Sequence, residues 1–292
     1  MLAYHDMLRH VLRHGKRKTD RTGVGTVSVF GHQARFPIAP TFPLVTTKRV
    51  HWKSVVAELL WMLSGATNIR PLVEQKVSIW SDWPHAGYRR ATGEEITLRA
   101  FEDRIREDAD FAAKWGDLGP VYGAQWRRWV GQDGQPHDQL ATVISQLRTR
   151  PDDRGIIMSG WNVPDLPAMS LRPCHTLYQW GVNDGVLDCH LYQRSGDLFL
   201  GVPFNIASAS LLTSMLAQIC GLQAGDLIHS FGDLHLYSNH LDQAEEQLSR
   251  DPRPGPRLVL DPSIREIDDF TRDHIRLDGY DPHPPIKAEV AV

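Results

Sequence analysis

The sequence predicts an α+β fold in a single domain covering residues 1–292. Three observations lead there. Segments with apolar residues at helical spacing and segments rich in β-branched residues both recur along the chain. No internal repeat, low-complexity tract or linker-like stretch divides them. With 292 residues, 41% of them apolar, the chain can bury a large core.

Taken in order, Tyr4, Met7, Leu8, Val11 and Leu12 recur at helical spacing and Gly15 is a stop signal, which predicts an opening helix. KRKTDRTG follows as a basic, polar loop. Residues 25–36, GTVSVFGHQARF, predict a strand with a bulge or kink at its central glycine. In SVVAELLWMLSG, Val55, Leu59 and Met62 define the apolar face of a second helix, with Glu58 beside that stripe. Residues from about 85 to 117 are highly charged and predict a partly helical surface insertion without a catalytic role. LATVISQLRTRPDDRG predicts a short amphipathic helix ending in a polar turn, and IIMSGWNV a strand. Two strand-like runs between Cys174 and Arg194 flank Asn183-Asp184-Gly185, a hairpin signal. Asn205 then stands as the cap of a helix through IASASLLTSMLAQIC, with Leu212, Met215, Leu216 and Ile219 as core candidates. LVLDPSI is a last strand before a Pro-rich end.

The net charge is -3 and Lys and Arg are spread along the chain, so no basic footprint points to nucleic acid; any phosphate has to be met by local clusters. Three cysteines, Cys174, Cys189 and Cys220, make an odd number without C-x-x-C spacing, which fits free thiols in a reducing compartment. Charges and histidines interrupt the N-terminus, so it lacks the apolar run of a signal peptide. No 18-residue apolar run reads as a membrane span, and the expected location is the cytoplasm.

Cys174 is the first candidate nucleophile, and the competing reading is a buried structural thiol. A thiol near its usual pKa is only a few per cent thiolate at neutral pH, so it needs a cation beside it. On an extended strand His175 points away from its neighbour, which leaves Arg194, on another strand, as the activator. Arg21, Arg154 and Arg194 each adjoin a turn or strand end, and converging guanidinium forks suit a phosphate; singly, each reads more readily as a solvated surface residue. Asn205 carries an amide that both donates and accepts, so it can read the O4 and N3–H edge of uracil, whereas Asp there would suit cytosine; a helix cap is compatible with that role. Glu58 is either exposed by a rotation of its helix or held as a tuned acid/base. His235 and Tyr237 alternate with leucines and share a strand face, and His235 with His240 is too sparse a ligand set for a metal. Trp80 and Trp83 are either core or an aromatic wall for a flat heterocycle.

Motifs carrying these residues run in order over nearly the whole chain: DRTGVGT, FPLVTTKRV, AELLWMLSGATNI, IWSDW, GDLGPVYGAQWR, PCHTLYQW, LYQRSGDLFLGVPFNIAS, GDLHLYSNH and GYDPHPPIKAEVAV. In them the chain resembles the thymidylate synthase family. The resemblance implies an α+β fold on a large twisted mixed sheet with packed helices, through which two subunits form an obligate homodimer. It also implies reductive methylation of dUMP to dTMP, with 5,10-methylenetetrahydrofolate as co-substrate and no metal. Cys174 matches the nucleophile that adds to C6 of dUMP. Arg21 and Arg194, with Ser195 beside them, match phosphate ligands, and Arg154 an arginine reaching across the dimer. Gln193 lies with the nucleotide group, Asn205 matches the base reader, and His235 and Tyr237 the ribose contacts. Glu58, Trp80, Tyr122, His175 and Asp197 match residues around the folate and the proton-transfer waters. Lys48 and His51 match the outer folate region; Trp83, Gly201, Phe204 and Ala291 are expected on the folate side, the last in a C-terminal tail that folds over the ligands.

Several positions depart from the family pattern. Gly155 stands where a second arginine is usual, and giving up one charge-assisted hydrogen bond to phosphate without replacement costs about 1.5–3 kcal/mol. Arg172, before Pro173-Cys174, is a candidate to compensate, and Ala209 replaces a common Tyr. Two alternatives remain: a pyrimidine nucleotide 5-hydroxymethylase of the same fold, against which Asn205 and Trp80 argue, and an inactive nucleotide- or RNA-binding regulator, against which Cys174, Glu58, Tyr122 and Arg194 together argue.

Overall fold

The apolar face read from the first residues forms helix α1 (Leu2–His14), where Tyr4, Met7, Leu8 and Val11 are buried. The structure, a computed structural model, describes residues 1–20 and 23–289. Arg21, Ala291 and the end of the expected C-terminal tail lie outside the described residues. Gly15 ends α1 at φ -67, so it is not there for a left-handed turn. Its N–H donates to Val11 O at 2.8 Å, and a Cβ would meet that oxygen at 2.5 Å and Val27 Cγ1 at 2.6 Å. A glycine is required because the helix end lies against a strand.

Next come β1 (Lys16–Lys18) and β2 (Thr26–Pro37). The expected basic loop is therefore partly wrong: its first three residues pair antiparallel with β2 as an edge strand. The irregularity expected in β2 is a kink at Gly31 (φ +78) with unchanged register on either side, Phe30 opposite Asp233 and His32 opposite Phe231. The chain continues through α2 (Trp52–Leu63), α3 (Arg70–Glu74), α4 (Asp82–Thr92), α5 (Leu98–Glu107), α6 (Ala109–Trp115) and α7 (Tyr122–Arg128). A short hairpin of β3 (Trp129–Val130) and β4 (Pro136–His137) leads to α8 (Gln139–Thr149) and β5 (Ile157–Ser159). Then follow β6 (His175–Asn183), β7 (Val186–Asp197), α9 (Gly201–Ile219) and β8 (Gln223–Tyr237). The chain closes with α10 (Leu241–Leu248) and the ribbon β9 (Arg257–Leu260) with β10 (Ile275–Asp278).

These elements form two compact units interleaved in sequence, Met1–Val55 with Ile144–Ile157 and Cys174–Val292, and Val56–Val143 with Met158–Pro173. Because the chain passes back and forth, no linker-like composition marks the boundaries. The mixed sheet has strand order β1-β2-β8-β7-β6-β5; the first five of these strands belong to the first unit, where β7 and β8 are parallel and β2–β8 and β6–β7 antiparallel. The β6–β7 hairpin closes through Asp184 (φ 50) and Gly185 (φ 77), the two left-handed positions that a tight type I′ turn demands. Helix α9 packs on β7 and β8 and is buried nearly all round. By length and hydropathy it would also span a bilayer, so the expectation of no such run does not hold. However, 78% of its apolar window lies inside the protein, which makes it a core helix.

In the second unit the charged stretch from about 85 to 117 is mostly helical, as α4, α5 and α6. It has an inner face as well as the expected solvated one: Tyr88, Phe101, Ile105 and Phe111 are buried, with Tyr88 and Phe111 ring centroids 5.2 Å apart. Thr97 and Asp108 accept from the first-turn amides of α5 and α6, so both helices begin on polar caps. The charges pair on the outside, as Arg104 with Glu94 and Arg106 with Asp103.

Candidate active site

Cys174 lies half-buried just before β6. Leu177 pairs with Tyr192 but His175 with Gln193, so one extra residue on β6 shifts the register. Without this bulge Cys174 would face Ser195; with it, the Arg194 N–H donates to Cys174 O at 3.0 Å. The Arg194 side chain follows, with Nη2 3.8 Å from Cys174 Sγ. A guanidinium at that distance favours thiolate over thiol. The other two thiols differ: burial pushes Cys189 up to about 12 and raises Cys220, so both stay protonated at neutral pH.

His175 is buried, with Nδ1 3.1 Å from Tyr178 Oη. Desolvation lowers it to about 4, against the opposing hydrogen bond with Asn205, so the ring is neutral. Asn205 does not cap its helix. Helix α9 begins four residues earlier, and Asp197 Oδ1 accepts from the amides of Phe199 and Leu200 at 3.0 and 3.2 Å. An acidic residue just ahead of the apolar run LFLGV was the available signal. The Asn205 amide is half-buried and accepts from Gln193 Nε2 at 2.9 Å. Ser195 lies next to this pair, its carbonyl accepting from Gln193 Nε2 at 2.8 Å.

His235 and Tyr237 share a face at the end of β8, with ring centroids 5.2 Å apart. His235 Nδ1 is 2.9 Å from Asp233 Oδ1, and Lys18 contacts the other oxygen of that carboxylate. Burial pushes the Asp233 carboxyl up, but the hydrogen bonds and charges of His235 and Lys18 outweigh it and hold it below the usual range. Neither Asp233 nor Lys18 stood out in the sequence.

Gly201 and Phe204 are half-buried in the first turn of α9. Lys48 is buried, its ammonium 2.5 Å from Phe199 O and 3.4 Å above the Phe199 ring. Desolvation, only partly offset by Asp197, lowers its pKa to about 7. His51 is exposed, with Nδ1 2.7 Å from Ser54 Oγ at the start of α2. Arg154 is exposed on the turn after α8, where its carbonyl accepts from Gln179 Nε2 at 2.9 Å. Gly155 N–H donates to Asp153 Oδ1 at 2.7 Å in the same turn.

A second cluster belongs to the other unit. Glu58 is half-buried on α2, and Trp80 Nε1–H donates to its Oε1 at 2.8 Å. Desolvation raises the carboxyl to about 7, while the Trp80 hydrogen bond pulls the other way. Trp80 is itself packed among aromatic rings, with centroids of Trp83, Tyr122 and Trp61 at 5.4, 5.9 and 6.0 Å. The rings pack as an aromatic cluster, the core reading of Trp80 and Trp83, and Trp61 is the member the sequence did not single out.

The family model described as thymidylate synthase matches residues 2–292. A thymidylate synthase of Cereibacter sphaeroides is 55% identical over 291 residues, which cover 99% of this chain and 98% of that one. One of Zymomonas mobilis is 52% identical over 296 residues, covering 100% of both. Full-length identity at this level, on a mixed-sheet fold that sets a half-buried cysteine against an arginine, means that the chain belongs to the thymidylate synthase family.

Proposed function

We propose that in this enzyme, a thymidylate synthase that reductively methylates dUMP to dTMP, Cys174 is the nucleophile and Arg194 the cation that activates it. The observation that carries this reading is the 3.8 Å approach of Arg194 Nη2 to Cys174 Sγ, brought about by the bulge in β6. The thiolate adds to C6 of dUMP, and the electron pair displaced from the 5,6 double bond makes C5 the carbon nucleophile. 5,10-Methylenetetrahydrofolate supplies the one-carbon unit and the hydride that completes the methyl group. C5 loses its proton, and the thiolate leaves C6 as the ring regains its double bond.

The remaining residues hold, read and move protons. Arg21, Arg194 and Ser195 bind the phosphate of dUMP, and Arg154 of each protomer completes the phosphate group of the other. His235 and Tyr237 meet the ribose, and Asn205, held by Gln193, reads uracil. Glu58 exchanges protons with the folate and with O4 through water; a carboxyl near pKa 7 is suited to both directions. Tyr122 assists loss of the C5 proton, and Trp80 shields the exocyclic carbon from water. Trp83, Gly201, Phe204, Asp197 and Ala291 bound the folate, His175 orders the waters near Asn205, and Lys48 and His51 lie toward the outer part of the folate.

The test is product analysis with dUMP and methylenetetrahydrofolate. Wild type should give dTMP and dihydrofolate, and Cys174→Ser should lower kcat by at least about 10³-fold, the scale lost with an essential nucleophile. A hydroxymethyl nucleotide with tetrahydrofolate, or undiminished turnover in Cys174→Ser, would overturn the reading.

A further inference from the structure

The Asn205 amide sits at one end of a buried chain of hydrogen bonds whose other end is a histidine outside the motifs that mark the family. His229, on β8, is fully buried and its ring stacks on Phe231 at 4.0 Å. His229 Nε2 is 2.8 Å from Gln193 Oε1. Gln193 Nε2 in turn donates to Ser195 O at 2.8 Å and to Asn205 Oδ1 at 2.9 Å.

The direction of this chain is fixed by its partners. A backbone carbonyl can only accept, so Ser195 O holds the NH₂ end of Gln193 on its own side. The carbonyl end then faces His229, whose Nε2 must carry the proton, leaving Nδ1 as the lone pair; that atom is buried and has no hydrogen-bond partner among the described residues. At the other end, the NH₂ of Gln193 requires the oxygen of Asn205. The nitrogen of Asn205 is thereby assigned to the other side of its amide, the arrangement that donates to O4 and accepts from N3–H. Turned over, the same amide would set two donors against each other at Gln193 and would match N3 and the amino group of cytosine.

We infer that His229 is a positioning residue which, through Gln193, locks the Asn205 amide in the uracil-reading orientation and so helps to exclude cytosine nucleotides. The inference rests on Asn205 as the base reader. Desolvation keeps the His229 ring neutral, its pKa held well below the usual value with the nearby imidazoles of His175 and His190 adding to the effect, so the relay keeps one donor over the working pH range.

The test compares dissociation constants of dUMP and dCMP by calorimetry on the full-length protein. His229→Leu removes the N–H, strands Gln193 Oε1 and should shrink the dUMP over dCMP preference about tenfold, the factor that one neutral hydrogen bond of about 1.4 kcal/mol represents. His229→Gln places an N–H at similar reach and should keep the preference within about twofold. A preference unchanged in His229→Leu, or lost equally in both variants, overturns the proposal. Loss of stability alone would weaken both nucleotides together, so the ratio separates positioning from folding. Independently of either variant, ¹⁵N spectra of the wild-type protein should show His229 as the Nε2–H tautomer at neutral pH, and an Nδ1–H tautomer would also overturn it. Asn205→Asp tests the underlying reading: it should turn the preference toward dCMP. If it does not, the base-reading role of Asn205 fails; if it does while His229→Leu has no effect, only the part given to His229 fails.

Discussion

The carboxyl of Glu58 shows how one neighbour tunes a group on an apolar helix. Desolvation brings it to about 7, and the Trp80 N–H restrains the rise. In the folded state the group keeps its proton up to that pH, whereas unfolded it ionises near 4.5. Between those values the folded chain binds more protons, so this group's contribution to stability is present at low pH and is lost as pH rises toward 7. Trp80→Phe removes a hydrogen bond to the charged form, about 1.5–3 kcal/mol, or roughly 10- to 100-fold against the carboxylate. The Glu58 pKa should therefore move upward, read by ¹³C NMR of the labelled carboxyl, with the pH profile of kcat following; an unmoved titration would mean that Trp80 does not tune it. Cys174, Arg194 and Glu58 could be singled out as candidates in the sequence because their chemistry is unusual for their setting. His229, Asp233 and Lys18 were not, since a histidine or carboxylate in a strand acquires meaning only from what the neighbouring strands place beside it.

At the scale of elements, Gly15 decides whether α1 can lie on β2. A methyl group there meets Val11 O at 2.5 Å and Val27 Cγ1 at 2.6 Å, and one of these is backbone that cannot rotate away. Gly15→Ala should destabilise the protein by about 1–3 kcal/mol, the usual cost of overpacking, despite the better helix propensity of alanine. Urea unfolding would show it as a lower midpoint, and a raised midpoint would refute the steric argument. Helices α1, α2, α8 and α9, the Asn183-Asp184-Gly185 hairpin and the β9 strand were readable from local pattern, whereas α3, α7 and α10 were not singled out. The bulge in β6 was not, because an extra residue is defined only against the strand it pairs with. The start of α9 was missed for a related reason: Asn205 is a good cap by type, but Asp197 had already closed the turn.

For the whole molecule, the sheet leaves large apolar side chains uncovered: Phe30 is 85% exposed, Tyr192 41% and Ile157 39%, each on a strand. A second copy packed through the sheet would remove that surface from water, which supports the homodimer expected for the family. Phe30→Glu should shift sedimentation toward the monomer and lower activity at least about tenfold if Arg154 serves the neighbouring protomer; a fully active monomer would sink the shared site.

The sheet that places Arg194 beside Cys174 also dictates an order of events during synthesis. Among the described residues, strand β2 has only the three-residue β1 as a strand neighbour until β8, far along the chain, supplies the other edge. On the ribosome the N-terminal strand therefore waits for most of the protein to be made before its longer edge can pair, and the pairing then joins ends that began far apart in sequence.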